Sequence, residues 1–225
     1  MVAAMSPRMS AAGAGRTRER ILTRSVAIAS VEGLDGLTLG RLAADLSMSK
    51  AGVIGHFGTK EALQLATLDK GYEFFTAIAF EPAEQVDTGL PRVVQLCEGW
   101  IRYLLNEGDF FPGGCLFTTA AVEFDARGGP VRAAVAGLFG IWQAKLSRAV
   151  RDAVDSGDLS ANTDVAQVVF ELIGTFTAMN LAVQLFEAQD AATRARRAVA
   201  RILGLADPGS GLLTQLVSAN RDDNI

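Results

Sequence analysis

The 225 residues predict an all-α protein of about nine helices, a small three-helix N-terminal unit followed by a larger helical body. Three observations carry that expectation. Apolar residues recur at helical spacing through most of the chain, no run alternates convincingly with period two, and no hairpin dipeptide separates two apolar runs. About half of the residues are apolar, enough to bury a substantial core.

Each element can be justified in order. Residues 1–15 are mostly Ala, Gly, Ser, Met and Pro with a lone Arg8, and are expected to form a disordered arm. From Arg16 the pattern is helical: Leu22, Val26 and Ala29 recur at i, i+4 and i+7, and Gly33 stops the helix. Thr38 is a good N-cap for a short second helix, Leu39 to Leu46, with Leu42 and Leu46 facing inward. Ser47-Met48 forms a turn, and Ser49 caps a third short helix ending near Gly55. Thr59 caps a fourth, Lys60 to Phe80, which ends before Pro82. After a loop from Pro82 to Pro91, helices are expected at 91–107, 114–126, 130–156, 162–188 and 191–204. Pro112-Gly113-Gly114, Gly128-Gly129-Pro130 and Ser156-Gly157-Asp158 punctuate them, and Asp190 caps the last. Residues 206–225 read as a flexible tail.

The formal charge of −4 conceals an asymmetry. Residues 1–60 carry 8 Lys/Arg against 4 Asp/Glu, a net of +4, and residues 61–225 carry 13 against 21, a net of −8. A basic end on an acidic body suggests that the basic end faces phosphate. Cys97 and Cys115 are too few for a disulfide scaffold, and the start of the chain has no continuous apolar core of a signal peptide, so a cytoplasmic protein is expected. Val165 to Phe186 is long enough to span a bilayer but contains Gln167, Glu171, Asn180 and Gln184. A mid-span carboxylate costs roughly 2.5–3.5 kcal/mol, so a buried helix with no membrane partner is the expectation. One histidine, no metal-spaced cluster, no phosphate-cradling glycine loop and no nucleophile elbow argue against an enzyme, a metal or a cofactor. Glu123 and Asp125 are one loose carboxylate pair at a helix end.

One segment carries a family signature. It begins R16-T-R-E-R-I-L and continues from Gly33 as GLDGLTLGRLAADLSMSKAGVIGHFGTKEAL to Leu63. Thr38, Ala43, Leu46, Met48-Ser49, Phe57, Lys60 and Leu63 fall in register, and the segment closely resembles the DNA-binding domain of the TetR family of transcriptional regulators. The resemblance implies a helix-turn-helix DNA-binding domain over 16–62 and a ligand-binding and dimerisation domain over 63–205. Its partners would be double-stranded operator DNA, a second copy of the chain and a small-molecule effector.

In a helix-turn-helix the second helix lies in the major groove while the first braces across the backbone. Helix N-termini then direct unpaired N–H groups at phosphates. Thr38, Ser49 and Thr59 stand at three such N-termini, so each hydroxyl is a candidate both to cap its helix and to touch a phosphate. Arg41 and Lys60 would add charge, and Lys50, opening the recognition helix, is the candidate to reach guanine O6/N7. Many relatives have a tyrosine where this chain has Ile54, so that phosphate contact is in doubt. The reading helix is otherwise Ala51, Gly52, Val53, Ile54, Gly55 and His56, with almost no long polar side chain. Its two glycines cost about 0.8–1.0 kcal/mol each relative to Ala but let the backbone approach DNA, and much of the specificity is expected from DNA shape. Val53, Leu42, Leu46 and Phe57 read as core. His56 would be a satisfied structural residue in most proteins, but the resemblance places it beside DNA. Arg16 and Arg18 are equally candidates for phosphate contact and for a solvated face. The competing reading is a ligand- or protein-binding module of this type that has lost DNA binding.

For the body, the resemblance implies a dimer built from the last two long helices. The expected interface is Val165, Val168, Val169, Leu172, Phe176, Met179 and Val183, with Val199, Ile202 and Leu203; plain intramolecular core is the alternative. Candidate effector-pocket residues are Trp100, Tyr103, Phe110, Phe117, Phe139, Trp142 and Phe176, with Glu171 and Asn180 as polar anchors. They imply an apolar or aromatic effector with few polar groups. Cys115 follows Pro-Gly-Gly at a helix N-terminus and reads as a small packed residue, with redox chemistry as its alternative.

Overall fold

The computed structural model describes residues 11–105 and 109–205. All regular structure among them is helical: α1 (Ala11–Gly36), α2 (Leu39–Asp45), α3 (Lys50–Phe57), α4 (Lys60–Phe75), α5 (Glu81–Glu84), α6 (Leu90–Leu104), α7 (Leu116–Phe124), α8 (Pro130–Asp155), α9 (Val165–Gln184) and α10 (Ala191–Ile202). A π turn, Thr76–Phe80, joins α4 to α5 without a break. Counted as one rod, they leave nine helices among the described residues, as expected.

Two departures from the sequence expectation have local causes. Residues 11–15, assigned to a disordered arm, form the first turns of α1. Ala11, Ala12 and Ala14 are the strongest helix formers and outweigh Gly13 and Gly15. The rest of that arm and the tail 206–225 lie outside the described residues. The second departure follows Phe75, where one α-helix to Phe80 and then a loop were expected. The wider π turn intervenes, and Pro82 stands in the first turn of α5, where its missing N–H goes unneeded. In an α-helix, residues five apart point about 140° from one another. The i→i+5 register of a π turn brings them close to one face. Phe75 and Phe80 accordingly meet edge to face with centroids 5.1 Å apart.

Gly33 interrupts α1 with φ 74 and ψ 170, and a single helical turn follows it. Only glycine occupies that backbone region without strain. Around this break the apolar side chains sort into two cores. The smaller gathers Ile21, Ile28, Leu37, Leu42, Ala43, Val53 and Leu63, with Leu46 and Phe57 packed against it. The larger fills the body, and α1 contributes Val26, Ala29 and Leu34 to it. Polar links reinforce the junction: Gln64 Nε2 donates to the Leu34 carbonyl at 2.8 Å, and Gly113 N donates to Ser30 Oγ at 3.1 Å. Lys70, nearly buried, bonds Glu73 at 2.7 Å and also Glu19, tying α4 to α1. Burial pulls its pKa down, but the two carboxylates prevail and hold it above the ordinary lysine value.

Helix α9 differs most from expectation. Val168, Val169, Leu172, Phe176 and Met179, expected to meet a second copy, are buried inside this chain, as are Val199 and Leu203; Val165, Val183 and Ile202 are half-buried. The opposite face is the open one: Phe170 is 74 % exposed, Leu181 50 % and Leu185 67 %, with Ala166, Gly174 and Ala178 between them. A helix with large apolar residues on both faces has two candidate contact sides, and periodicity alone does not say which packs on the chain's own body. The expectation of a wholly buried helix fails for the same reason. By length and composition α9 could also cross a membrane.

Candidate nucleic-acid interface and ligand cavity

Three of the caps predicted from sequence are present, whereas the Asp190 side chain makes no cap bond to α10 and holds Arg194 at 2.8 Å instead. Thr38 Oγ1 accepts from Arg41 N at 3.1 Å, Ser49 Oγ from Gly52 N at 3.0 Å and Thr59 Oγ1 from Ala62 N at 3.0 Å. Each satisfies one of the orphan donors at its helix N-terminus. Thr38, Ser49 and Thr59 remain exposed, so the three N-termini of α2, α3 and α4 are open to an anion. Val53 is the buried residue of α3; Lys50, Ala51, Ile54 and Gly55 point to solvent, and Gly52 and His56 are half-buried. A methyl group added at Gly55 would meet nothing within 4 Å. The turn between α2 and α3 places Ser47 at φ 53, a left-handed conformation that costs a side-chain-bearing residue about 1–2 kcal/mol.

The basic side chains divide by what they already hold. Arg24 is paired with Asp45, bracing α2 on α1. This hydrogen bond holds the Asp45 carboxyl below its usual range. Arg41 reaches Glu32 at 3.1 Å, and the Arg18 guanidinium lies 5.0 Å from the centre of the Phe57 ring. Lys60 donates to the Asp35 carbonyl at 2.7 Å. Lys50 has neither an ion pair nor a hydrogen bond among the described residues and is exposed. On α3 it is therefore the charge most available to a partner.

Sequence reasoning missed the residue that joins this head to the body. Glu123, at the end of α7, accepts from Leu34 N at 2.8 Å and from Asp35 N at 3.3 Å. The carboxylate thus caps the single turn that follows Gly33, across a separation of 89 residues. Arg127 just beyond it pairs with Asp35, and this bond holds the Asp35 carboxyl below its usual range. Glu123, Arg127, Asp35 and Lys60 form one polar clasp between α7, α1 and α4. The pair Glu123 and Asp125 had drawn attention only as neighbours in sequence; Asp125 takes no part in the clasp through its side chain. A partner so remote leaves no local signal.

In the body, four of the nine candidate pocket residues converge. Trp100, Phe117, Phe139 and Trp142 line one cavity with Tyr72, Phe75, Phe80 and Leu138. The free space is about 20 Å³, room for about one water molecule. The missed lining residues flank the π turn or sit on α8, and the Phe-rich end of the fourth helix was their one signal. The remaining candidates lie elsewhere. Phe176 stacks on Trp100 at 5.3 Å behind the wall, and Phe110 stacks on Phe74 at 4.0 Å. The Tyr103 hydroxyl accepts from Leu116 N at 3.2 Å, and burial pushes its pKa up. Glu171 is exposed and accepts from Gln167 Nε2 at 2.8 Å, because it lies on the outward face of α9. Asn180 Oδ1 accepts from Cys115 N at 2.9 Å and so fixes the start of α7. Cys115 is fully buried, its sulfur accepting from Thr118 N at 3.3 Å as a helix cap.

Comparison with known proteins bears on both halves. Residues 89–199 match the family described as Tetracyclin repressor-like, C-terminal domain. No curated protein matches the chain. Among solved structures, a TetR-family transcriptional regulator from Cytophaga hutchinsonii is similar with a TM-score of 0.74 and 19 % identity, over 90 % of this chain and 99 % of that one. A TetR transcriptional regulator from Chloroflexus aurantiacus gives 0.72 and 20 %, over 85 % and 94 %. The regulator AibR, solved with isovaleryl coenzyme A and operator DNA, gives 0.66 and 19 %, over 84 % and 99 %. These likenesses run through both the head and the body.

Proposed function

Since the chain belongs to the TetR family of transcriptional regulators, we propose that it is a dimeric, sequence-specific repressor, released from its operator by a small apolar or aromatic effector. It acts in the cytoplasm, as a switch without a catalytic step. The observation that carries the reading is the exposed surface of α2, α3 and the start of α4, which presents three hydroxyl-capped N-termini and the unpaired Lys50. Thr38, Ser49, Thr59 and His56 hold phosphates, with Arg41 and Lys60 adding charge from their internal ion pairs. Lys50 reads guanine, Ala51 and Ile54 meet thymine methyls, and Gly52 and Gly55 let the backbone close on the groove.

A second copy docks on the outward face of α9, along Phe170, Leu181 and Leu185 and the small-residue groove beside α10 at Ala178, Ala182 and Ala198. Exposed apolar patches of this kind mark contact surfaces. The two α3 helices then face successive major grooves, about 34–36 Å apart or somewhat more. An effector entering the aromatic cavity presses on α4 through Phe75 and Phe80, and the α4 rod and the Glu123 clasp transmit the strain to the head. Coupling of this kind is typically about 1–3 kcal/mol, or roughly 5–150-fold in DNA affinity.

Selection from a randomised duplex library tests the proposal. It predicts enrichment of an inverted repeat, and footprinting upstream of the protein's own gene should protect a matching site. The sparse polar lettering of α3 favours a second reading, a ligand- or protein-binding module without DNA binding; failure to enrich any sequence at moderate salt would select it.

A further inference from the structure

Two buried donors beside the aromatic cavity are unmet. Trp100 and Trp142 form part of its wall, with ring centroids 4.5 Å apart, and are 4 % and 2 % exposed. The Nε1–H of each is buried and meets no acceptor. An indole N–H only donates, and a buried donor without a partner is costly to retain. These are the chain's only two tryptophans, and both stand at the same small space. No Asp, Glu, Lys or Arg contributes to the lining. The lining therefore brings flat aromatic rings, the Tyr72 phenol and two indoles whose N–H groups lack an acceptor to this space, and no charged side chain.

We propose that the cavity selects a neutral, flat, apolar ligand carrying a carbonyl-type oxygen, such as an aryl ketone, aldehyde or ester, whose oxygen accepts from the Trp100 and Trp142 indoles. The proposal rests on the reading of the body as an effector domain and narrows the chemistry of that effector. A hydrocarbon would leave both donors unpaired. A carboxylate would be buried without a counter-charge. Tyr72, Leu138 and Phe139 are the half-buried lining residues, and because the free space holds only about one water, Leu138 and Phe139 on α8 move aside on entry.

The test uses the full chain, labelled with ¹⁵N, in which the two indoles give two resolved N–H signals. Acetophenone and ethylbenzene are probes of nearly equal shape that differ in the carbonyl, and benzoate adds a charge. Acetophenone should move at least one indole proton downfield, saturably, and bind about tenfold tighter than ethylbenzene and benzoate. Trp100→Phe and Trp142→Phe, which keep a ring in the wall, should diminish the ketone preference. Equal binding of ketone and hydrocarbon, tighter binding of benzoate, or indole signals indifferent to the ketone would overturn the proposal. If either variant fails to fold, the comparison of probes on the unaltered chain decides. The readout needs no DNA: a chain that prefers the ketone but selects no operator refutes the regulator reading alone. One that selects an operator without preferring the ketone refutes this inference alone.

Discussion

Gly33 and Glu123 are the residues on which the head and the body meet. Any side chain at Gly33 would overlap the Glu123 carboxylate and would also have to adopt φ 74, ψ 170. Gly33→Ala should therefore lower stability by about 1–3 kcal/mol or more in urea unfolding, and an unchanged midpoint would contradict the clasp. Glu123→Ala strands the buried Leu34 N–H and should cost about 1–3 kcal/mol. Because the clasp lies between the two cores, the same variant should also reduce the response of DNA binding to effector. Ser47→Gly has the opposite sign: it relieves a left-handed serine at φ 53 and should raise the melting temperature, by up to about 1 kcal/mol of stability after the entropy of glycine is subtracted. The local half of this was legible from sequence, since a glycine ending a helical run announces a break. The carboxylate 89 residues away was not, because only the folded topology brings it there.

Among the elements, α3 was predicted well and α9 was not. A hydroxyl before a short helix and a valine facing inward are local facts, so the Ser49 cap and the Val53 core position followed from the sequence. The open side of Gly55 gives a separable prediction. Gly55→Ala meets nothing in the fold and should stabilise α3 by about 0.8–1.0 kcal/mol. It should nonetheless weaken DNA binding, because the added methyl keeps the backbone from the groove. Higher thermal stability with undiminished DNA affinity would show that Gly55 does not approach DNA. The π turn escaped prediction because hydrophobic spacing near Phe75 and Phe80 fits an α-helix with a kink equally well. On α9 large apolar residues lie on both faces, with Gln167 and Glu171 sharing the outward one with Phe170, and the packed body shows which face is open. The sequence marked a helix with apolar residues on both sides but not the side left open.

At the scale of the molecule, a basic head stands on an acidic body, and the exposed stripe of α9 faces away from both cores. Phe170→Glu, at a residue 74 % exposed, should leave the chain folded and shift its mass in light scattering from twice that of the chain to that of one copy. A monomeric parent chain, or a dimer indifferent to this change, would contradict the placement of the interface. Half of the lining of the aromatic cavity could be named from sequence, through Trp100, Phe117, Phe139 and Trp142. In the other half, the pairing of Phe75 with Phe80 depends on the π turn. The central claim is that α3 reads DNA sequence and that Lys50 does most of the reading. It is tested most directly by measuring affinity for the selected site and for an unrelated duplex, across a range of salt, with the parent chain and Lys50→Ala. The account predicts a clear preference in the parent, reduced roughly 5–150-fold in the variant, with non-specific binding falling much less. A parent chain that binds both duplexes equally, or a variant that keeps the full preference, would contradict it.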